Sequence, residues 1–329
     1  MKIKDRKQDH LNICTQEQVE AGATGLEEVR LAHKALPEID FDEIDTGIKF
    51  LGKKLSYPLI IEAMTGGISE AARINRDVAS IAEEYGIGFE VGSQRAAIDD
   101  PSLSETFKVR DVAPNAFLIG NVGAVQLNYG YSEKECKKAL DMISADALAL
   151  HLNPLQEVIQ AEGNTNFSGL IAKINAIAAR LDKPVIAKET GCGISAEIAA
   201  HLKVSAIDVA GSGGTSWSLV ESYRAKGMKK GIGKTFADWG IPTADAIIEN
   251  SKLKVPLIAS GGIRTGLDAA KAIALGAECT GVALPILRAW KENGREGVKE
   301  FLDRFLFELK VAMFLTGSRS VKELRGKVR

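Results

Sequence analysis

Four polar residues within seven positions, His151, Asn153, Gln156 and Glu157 in the segment HLNPLQE, follow directly on an apolar run. Together they offer an imidazole, two amides and a carboxylate, the groups that move protons, orient a substrate and ligate a hard cation. Alternate side chains of an extended run share a face, so His151 and Asn153 point the same way. A lone histidine in such a place reads as a satisfied core residue; four polar groups together read as a site. Lys188 ends a second apolar run, PVIAKET, where an inward-facing charge is costly unless it meets an anion or an electron-rich ring position. Glycine supplies the third signal. It makes up 32 of 329 residues and clusters after apolar runs in MTGG (64–67), VGS (91–93), GNVG (120–123), ETGCG (189–193), AGSGGT (210–215) and SGGIRTG (260–266). Glycine lets backbone N–H groups approach an anion, and a following helix start adds a favourable dipole. The spacing therefore predicts a phosphate-bearing ligand.

These residues need elements to hold them in one place. Eight short apolar runs recur from residue 57: 58–64, 87–92, 116–123, 147–153, 184–190, 206–211, 256–262 and 279–284. Segments with helical spacing, 69–85, 133–143, 168–181, 195–202, 241–251 and 267–275, lie between most of them, and 294–315 follows the last. The unit between the second and third runs is the least clearly helical. Near-continuous apolar strands alternating with helices over about 230 residues predict an α/β fold, a (β/α)8 TIM barrel with an N-terminal extension, better than an open doubly wound sheet. The expected divisions are a leader at 1–56, the barrel at 57–316 and a basic tail at 317–329 read as a solvated end. In a barrel the glycine-rich turns line the C-terminal rim, and SGGIR and GVALP (281–285) take the phosphate position after the seventh and eighth strands.

Composition narrows the partners. With 42 Lys and Arg against 43 Asp and Glu, the formal charge is −1, which argues against nucleic acid or an anionic membrane as a partner, so any bound anion must meet a local cluster. Cys14, Cys136, Cys192 and Cys279 are scattered, without a C-x-x-C pair or a histidine at metal-ligand spacing, and read as free thiols. The opening MKIKDRKQDHLN lacks an apolar signal-peptide run, and the longest uncharged stretch, 112–132, is interrupted by Pro114, Gly120 and three asparagines. A cytoplasmic protein is the expectation.

The set DRKQDHL (5–11), EAMTGG (62–67), GSQR (92–95), HLNPLQE (151–157), KETG (188–191), DVAGSGGTSW (208–217) and SGGIR (260–264) resembles type 2 isopentenyl-diphosphate isomerase, an FMN-dependent family of isoprenoid biosynthesis. SGGIR is shared with other FMN barrels; HLNPLQE combined with GSQR and the basic leader is the specific part. The resemblance implies that Ala63, Met64, Thr65, Ser93, Asn121, Lys188, Ser212 and Thr215 contact FMN, with Gly261, Gly262, Arg264, Ala283 and Leu284 at its phosphate end. It implies further that Arg6, Lys7, His10, Ser93, Gln94, Arg95, His151, Asn153 and Gln156 bind the diphosphate substrate and that Glu157 ligates Mg2+. Gln156, His151 and Lys188 would be the catalytic residues, NADPH the reductant, and the assembly a homo-oligomer, a tetramer or octamer. The segment 218–240 has no assigned residue.

The implied reaction is a 1,3 proton shift between isopentenyl and dimethylallyl diphosphate without net redox change. An alkene is barely basic, so its protonation demands a strong, positioned acid and stabilisation of a developing cation. No carboxylic acid pair is evident beside Gln156, which favours the reduced flavin as acid and base with Lys188 tuning the charge near N1. The leader is expected to order over the bound substrate. Two rivals are a redox FMN barrel, for whose nucleophilic cysteine Cys192 could be mistaken although its place inside KETGCG reads as a structural thiol, and a non-catalytic FMN-binding barrel with an anion-sensing leader.

Overall fold

The computed structural model describes residues 3–329, with side chains from Arg6 onward; residues 1 and 2 of the expected leader lie outside the described residues. The chain opens with α1 (Ile3–Gln16) and a hairpin of β1 (Ile48–Phe50) and β2 (Lys53–Leu55). It continues through β3 (Leu59–Ile61), α2 (Ser69–Tyr85), β4 (Gly88–Glu90), α3 (Arg95–Asp99), β5 (Phe117–Gly123), α4 (Glu133–Ile143) and β6 (Ala147–Leu152). Next come α5 (Pro154–Ile159), α6 (Leu170–Arg180), β7 (Val185–Glu189), α7 (Ala196–Ala199), β8 (Ala206–Asp208), α8 (Trp217–Arg224), α9 (Met228–Thr235) and α10 (Thr243–Asn250). The chain closes with β9 (Leu257–Ala259), α11 (Gly266–Leu275), β10 (Cys279–Val282), α12 (Leu284–Leu315) and α13 (Val321–Leu324).

Strands β3 to β10 pair in parallel with their neighbours in chain order, and β10 closes on β3, so the eight apolar runs form a closed barrel. Local chemistry sets the helix ends. Ser132 and Glu135 form a capping box at the start of α4, Thr265 and Asp268 do the same for α11, and Gly86 takes a left-handed conformation that ends α2. The weakly helical unit after β4 is the five-residue α3 and a 3-10 turn at Pro101–Thr106.

Two-residue alternation divides each strand between the barrel interior and the helical layer. Leu59, Ile61, Phe89, Leu118, Leu148, Leu150, Val185, Ala187 and Ile207 face the helices. Ile60, Phe117, Ile119, Ala149, Ile186 and Ile258 fill the interior and continue into Phe50 and Leu55 of the leader hairpin. The Phe50 ring meets Phe117 edge-on at 6.0 Å, which seals the N-terminal end of the barrel. Two positions further along the strands the same inward face turns polar: Glu62, Glu90, Asn121, His151, Lys188, Asp208 and Ser260, with Gly281 on β10.

Two sequence expectations need correction. The basic tail is not a solvated end: Val321 and Leu324 are buried against α11 and α12, and Val328 bridges to Leu31 of the leader. Its apolar residues pack while its basic ones stay outside, a split that a charge count alone conceals. The last helix begins at Leu284, ten residues before the expected 294, because Asn293 and Gly294 break its helical geometry and divide it in two. Among the described residues no helix is long and apolar enough to cross a membrane.

Candidate active site

The polar layer and the loops above it enclose a cavity of about 210 Å³, walled by strand ends from around the barrel and roofed by α1 of the leader. The residues expected to bind cofactor and substrate largely converge on it. Ala63, Met64, Ser93, Asn121, Lys188, Thr215, Gly261, Gly262, Arg264, Ala283 and Leu284 line it, as do Arg6, Lys7, His10, Arg95, His151, Asn153, Gln156 and Glu157. Thr65, Gln94 and Ser212 do not. Gln94 is fully buried behind the wall, its amide donating to the Ala139 carbonyl and accepting from the Asn121 N–H, so it braces β5 rather than facing a substrate. Ser212 is tied into the wall through backbone bonds with Ile241 and Thr243. Thr65 is buried beside the cavity with its hydroxyl unpartnered.

One side of the cavity is a rim of bare backbone. Gly261 and Gly262 have φ of +94° and +75°, and a Cβ on Gly261 would lie 2.1 Å from the Gly211 carbonyl oxygen, so only glycine lets these two loops pack. Beside them α12 begins at Leu284 with a proline in its first turn, presenting free N–H groups. Arg264 stands at this rim, paired with Glu20 of the leader, and the other Glu20 oxygen takes Arg288 at 3.0 Å.

The cavity floor is a charge cluster. Lys188 pairs with Asp208, and its Nζ lies 2.8 Å from Glu62 Oε2. Ser260 Oγ donates to Asp208 Oδ1 at 2.6 Å. His151 Nδ1 sits 2.8 Å from Asn121 Oδ1, while the Asn121 amide donates to Glu90 at 2.5 Å, so Nδ1 carries the proton and Nε2 keeps its lone pair. Burial, with Lys7 and Lys188 nearby, drives His151 down to about 3, and the ring is neutral at pH 7. Burial alone would lower Lys188, but Asp208, Glu62 and Glu90 outweigh it and hold the ammonium well above its ordinary range.

The lip on the opposite side joins α1, α5 and α8. Asn153 Nδ2 donates at 3.0 Å to both Gln156 and Glu157, and Gln156 Nε2 donates to Glu221 at 3.1 Å. His10 Nε2 meets the same Glu221 oxygen at 2.8 Å, and Arg224 takes the other at 2.5 Å. Burial would raise Glu221, yet His10 and Arg224 prevail and bring it down to about 2. The amide of Gln156 is thereby fixed, its oxygen toward Asn153 and its nitrogen toward an anion. Lys7 has no hydrogen-bond or ion-pair partner among the described residues, and burial with Arg6 beside it pushes the ammonium down to about 8. The Nε groups of Arg6 and Arg95 are also buried without a hydrogen bond, Arg6 standing 3.8 Å from Glu162 through its Nη1 and Arg95 Nε 3.6 Å from Asp99. Three cations with unspent donors at one lip form a ready anion site. Among the described residues no group of three His, Cys, Asp or Glu could hold a metal ion by itself.

The sequence reading passed over two features. Glu221 lay in the segment left unassigned, and a carboxylate does stand beside Gln156 where none was evident. Glu62, Glu90 and Asp208 surround the lysine that was expected to meet an anion or an electron-rich ring position. A signal for the latter existed: each is a charged residue two positions after an inward-facing one, as Lys188 is after Ile186. No such periodicity marks Glu221, because long-range contact with His10 places it. Burial and the neighbouring Glu189 push the Cys192 thiol up to about 12, in keeping with its reading as a structural thiol.

A family model described as FMN-dependent dehydrogenase matches residues 149–329. A protein of Archaeoglobus fulgidus named isopentenyl-diphosphate delta-isomerase is 51% identical over 331 residues, covering 99% of this chain and 95% of that one. A protein of the same name from Nostoc sp. is 48% identical, covering 97% and 93%. Among solved structures, a flavocytochrome b2 variant with sulfite bound superposes with a TM-score of 0.71 at 19% identity, covering 96% of this chain and 81% of that one. A mandelate oxidase variant with an FMN adduct gives 0.64 at 18% identity, covering 98% and 91%. The two structural likenesses show a common barrel fold.

Proposed function

The chain belongs to the FMN-dependent isopentenyl-diphosphate delta-isomerase family, and from that premise we propose that it interconverts isopentenyl and dimethylallyl diphosphate by a 1,3-allylic proton shift. The observation that carries this reading is the pairing of a bare backbone rim with three underused cations, Arg6, Lys7 and Arg95, across one cavity. The rim suits a cofactor phosphate and the lip suits a diphosphate. An FMN-dependent oxidase of a small hydroxy acid would use the same phosphate rim, but its substrate carries a single carboxylate, for which three cations at the lip are more than the charge requires.

The residues present fit FMN. Gly261, Gly262 and the N–H groups opening α12 would hold its phosphate with Arg264, and Ala63, Met64, Ser93, Asn121 and Thr215 would wall its ring above Lys188. When bound and reduced, FMN supplies an acid and a base where the chain has a neutral amide. The unpartnered Thr65 hydroxyl and Asn153 Oδ1 support a polar occupant. Glu157, whose oxygens accept from Asn153 Nδ2 at 3.0 Å and from the Asn164 N–H at 2.5 Å and keep further lone pairs, would be the one protein carboxylate on a Mg2+ shared with substrate, a cation that keeps most of its waters.

Arg6, Lys7, Arg95 and the neutral His151 bind and orient the diphosphate. Gln156, held between Asn153 and Glu221, faces the five-carbon chain and presents an amide of fixed polarity to the cation that develops there. The leader helix α1 closes over the lip, and Trp217 packs edge-on against His10 at 5.1 Å, which keeps water from the reacting carbons. The same reading divides the chain into a substrate-binding leader (1–56), an FMN barrel (57–316) and a tail (317–329). It also includes NADPH as the initial reductant, residence in the cytoplasm, and a homo-oligomer, a tetramer or octamer.

The test is anaerobic. Purified protein, reduced and given isopentenyl diphosphate with Mg2+, forms dimethylallyl diphosphate with no stoichiometric NADPH consumption. Consumption of one reductant per product would assign a redox reaction instead.

A further inference from the structure

The polar layer of the barrel sets three acids, Glu62, Glu90 and Asp208, against one cation, Lys188. Asp208 is accounted for as an anion, with Lys188 on one oxygen and the Ser260 hydroxyl on the other. Glu90 accepts from the Asn121 amide. Glu62 is different: Lys188 Nζ, already paired with Asp208, lies 2.8 Å from its Oε2, and no neutral donor reaches either of its buried oxygens. The register of β3 and β4, with Ile60 opposite Gly88 and Ile61 opposite Phe89, carries Glu62 and Glu90 side by side onto the same inward face, where each carboxyl meets the other as a hydrogen-bond partner. Two carboxylates have no proton to donate to each other, so a bond between them requires that one be an acid. The fold makes room for this contact. A Cβ on Gly281 would lie 2.2 Å from Glu62 Oε1, and the glycine is what admits the carboxyl to the layer.

We infer that Glu62 and Glu90 form an acid pair sharing a single proton, and that this pair is a positioning device that holds Lys188 as an ammonium aimed at the cofactor ring. The inference rests on the placement of FMN above Lys188 only in its second half; the shared proton stands on the geometry of Glu62 and Glu90 alone. With the proton in place, Lys188 faces two negative charges, Asp208 and the pair. Without it Lys188 faces three, and the site turns against an anionic ligand. Among the groups around the pair, Lys188 opposes retention of the proton and Asp208 from β8 favours it by repelling a second charge, while the neutral His151 on β6 and the protonated Cys279 thiol on β10 add no charge. Burial raises both acids, Glu62 to about 8.

Two measurements on the full-length protein freed of flavin test this. Infrared spectroscopy at pH 7 should show a protonated-carboxyl C=O stretch that shifts in D2O and is lost in both Glu62→Gln and Glu90→Gln. Its absence from the wild type, which decides even if a variant does not fold, or a band undiminished in both variants overturns the shared proton; any contribution from Asp208 and Glu189, each raised to about 7, is common to the three proteins and cancels in the difference. FMN affinity should fall by up to tenfold per pH unit above about 8 in the wild type, and this slope should flatten in either variant. A slope retained in both variants, as Lys7 would produce, overturns the positioning role. No FMN binding at any pH would instead defeat the cofactor assignment and leave the infrared result to stand by itself.

Discussion

The two ends of the barrel are built from the same eight strands with the same alternation, and they do opposite work. At the N-terminal end Ile60, Phe117, Ile119, Ala149 and Ile186 pack under Phe50 of the leader hairpin, with no charge in the cluster. Two positions later the same faces carry three carboxyls, one ammonium, an imidazole and an amide. Burial stabilises the first layer and penalises the second, since a buried like-charged cluster persists only when the surrounding structure fixes it. The apolar layer is the rigid base on which an unfavourable polar layer is held, and the chemistry belongs to the layer that costs stability.

Substitutions can break that division from either side. The largest effect is expected from Lys188→Met, which leaves Glu62, Glu90 and Asp208 without their cation; turnover should fall about a thousandfold, a loss read in steady-state rates with FMN in excess. Next is Phe50→Ala at the other end, which should cost about 3–5 kcal/mol in denaturant unfolding while turnover per folded molecule stays near wild type. If Phe50→Ala removed activity without lowering stability, the two layers would not be separable in this way.

Gln156→Met tests the lip. It keeps the volume but removes the amide between Asn153 and Glu221, and turnover should drop about a hundredfold with FMN still bound, as absorbance would report. The smallest effect comes from pH. Lys7 is an ammonium below about 8 and neutral above it, so diphosphate capture, measured as kcat/KM, should decline as pH rises through that value. Lys7→Met should have a low kcat/KM throughout and lose this limb.

Much of the barrel was legible because period and length agree: each apolar run is a strand, and α2 and α4 span the segments whose spacing predicted them. The glycine rim was legible for a similar reason, since close backbone packing leaves no alternative residue at Gly261. Contacts between distant segments left no such trace. His10 and Glu221 lie 211 residues apart, and only the folded chain brings α1 onto α8. Arg264 was readable as an anion ligand, but its present partner, Glu20, comes from the leader. The hairpin over the barrel base was likewise hidden, because three-residue strands are too short to show alternation.

The central claim is that the polar end of the barrel moves protons and not electrons. Running the reduced enzyme with Mg2+ and isopentenyl diphosphate in D2O, with products followed by NMR, tests it most directly. The account predicts deuterium in the methyl groups of dimethylallyl diphosphate and, through the reverse reaction, in recovered isopentenyl diphosphate, with the flavin spectrum unchanged at the end. Product free of deuterium, or product formed in step with flavin oxidation, would contradict it.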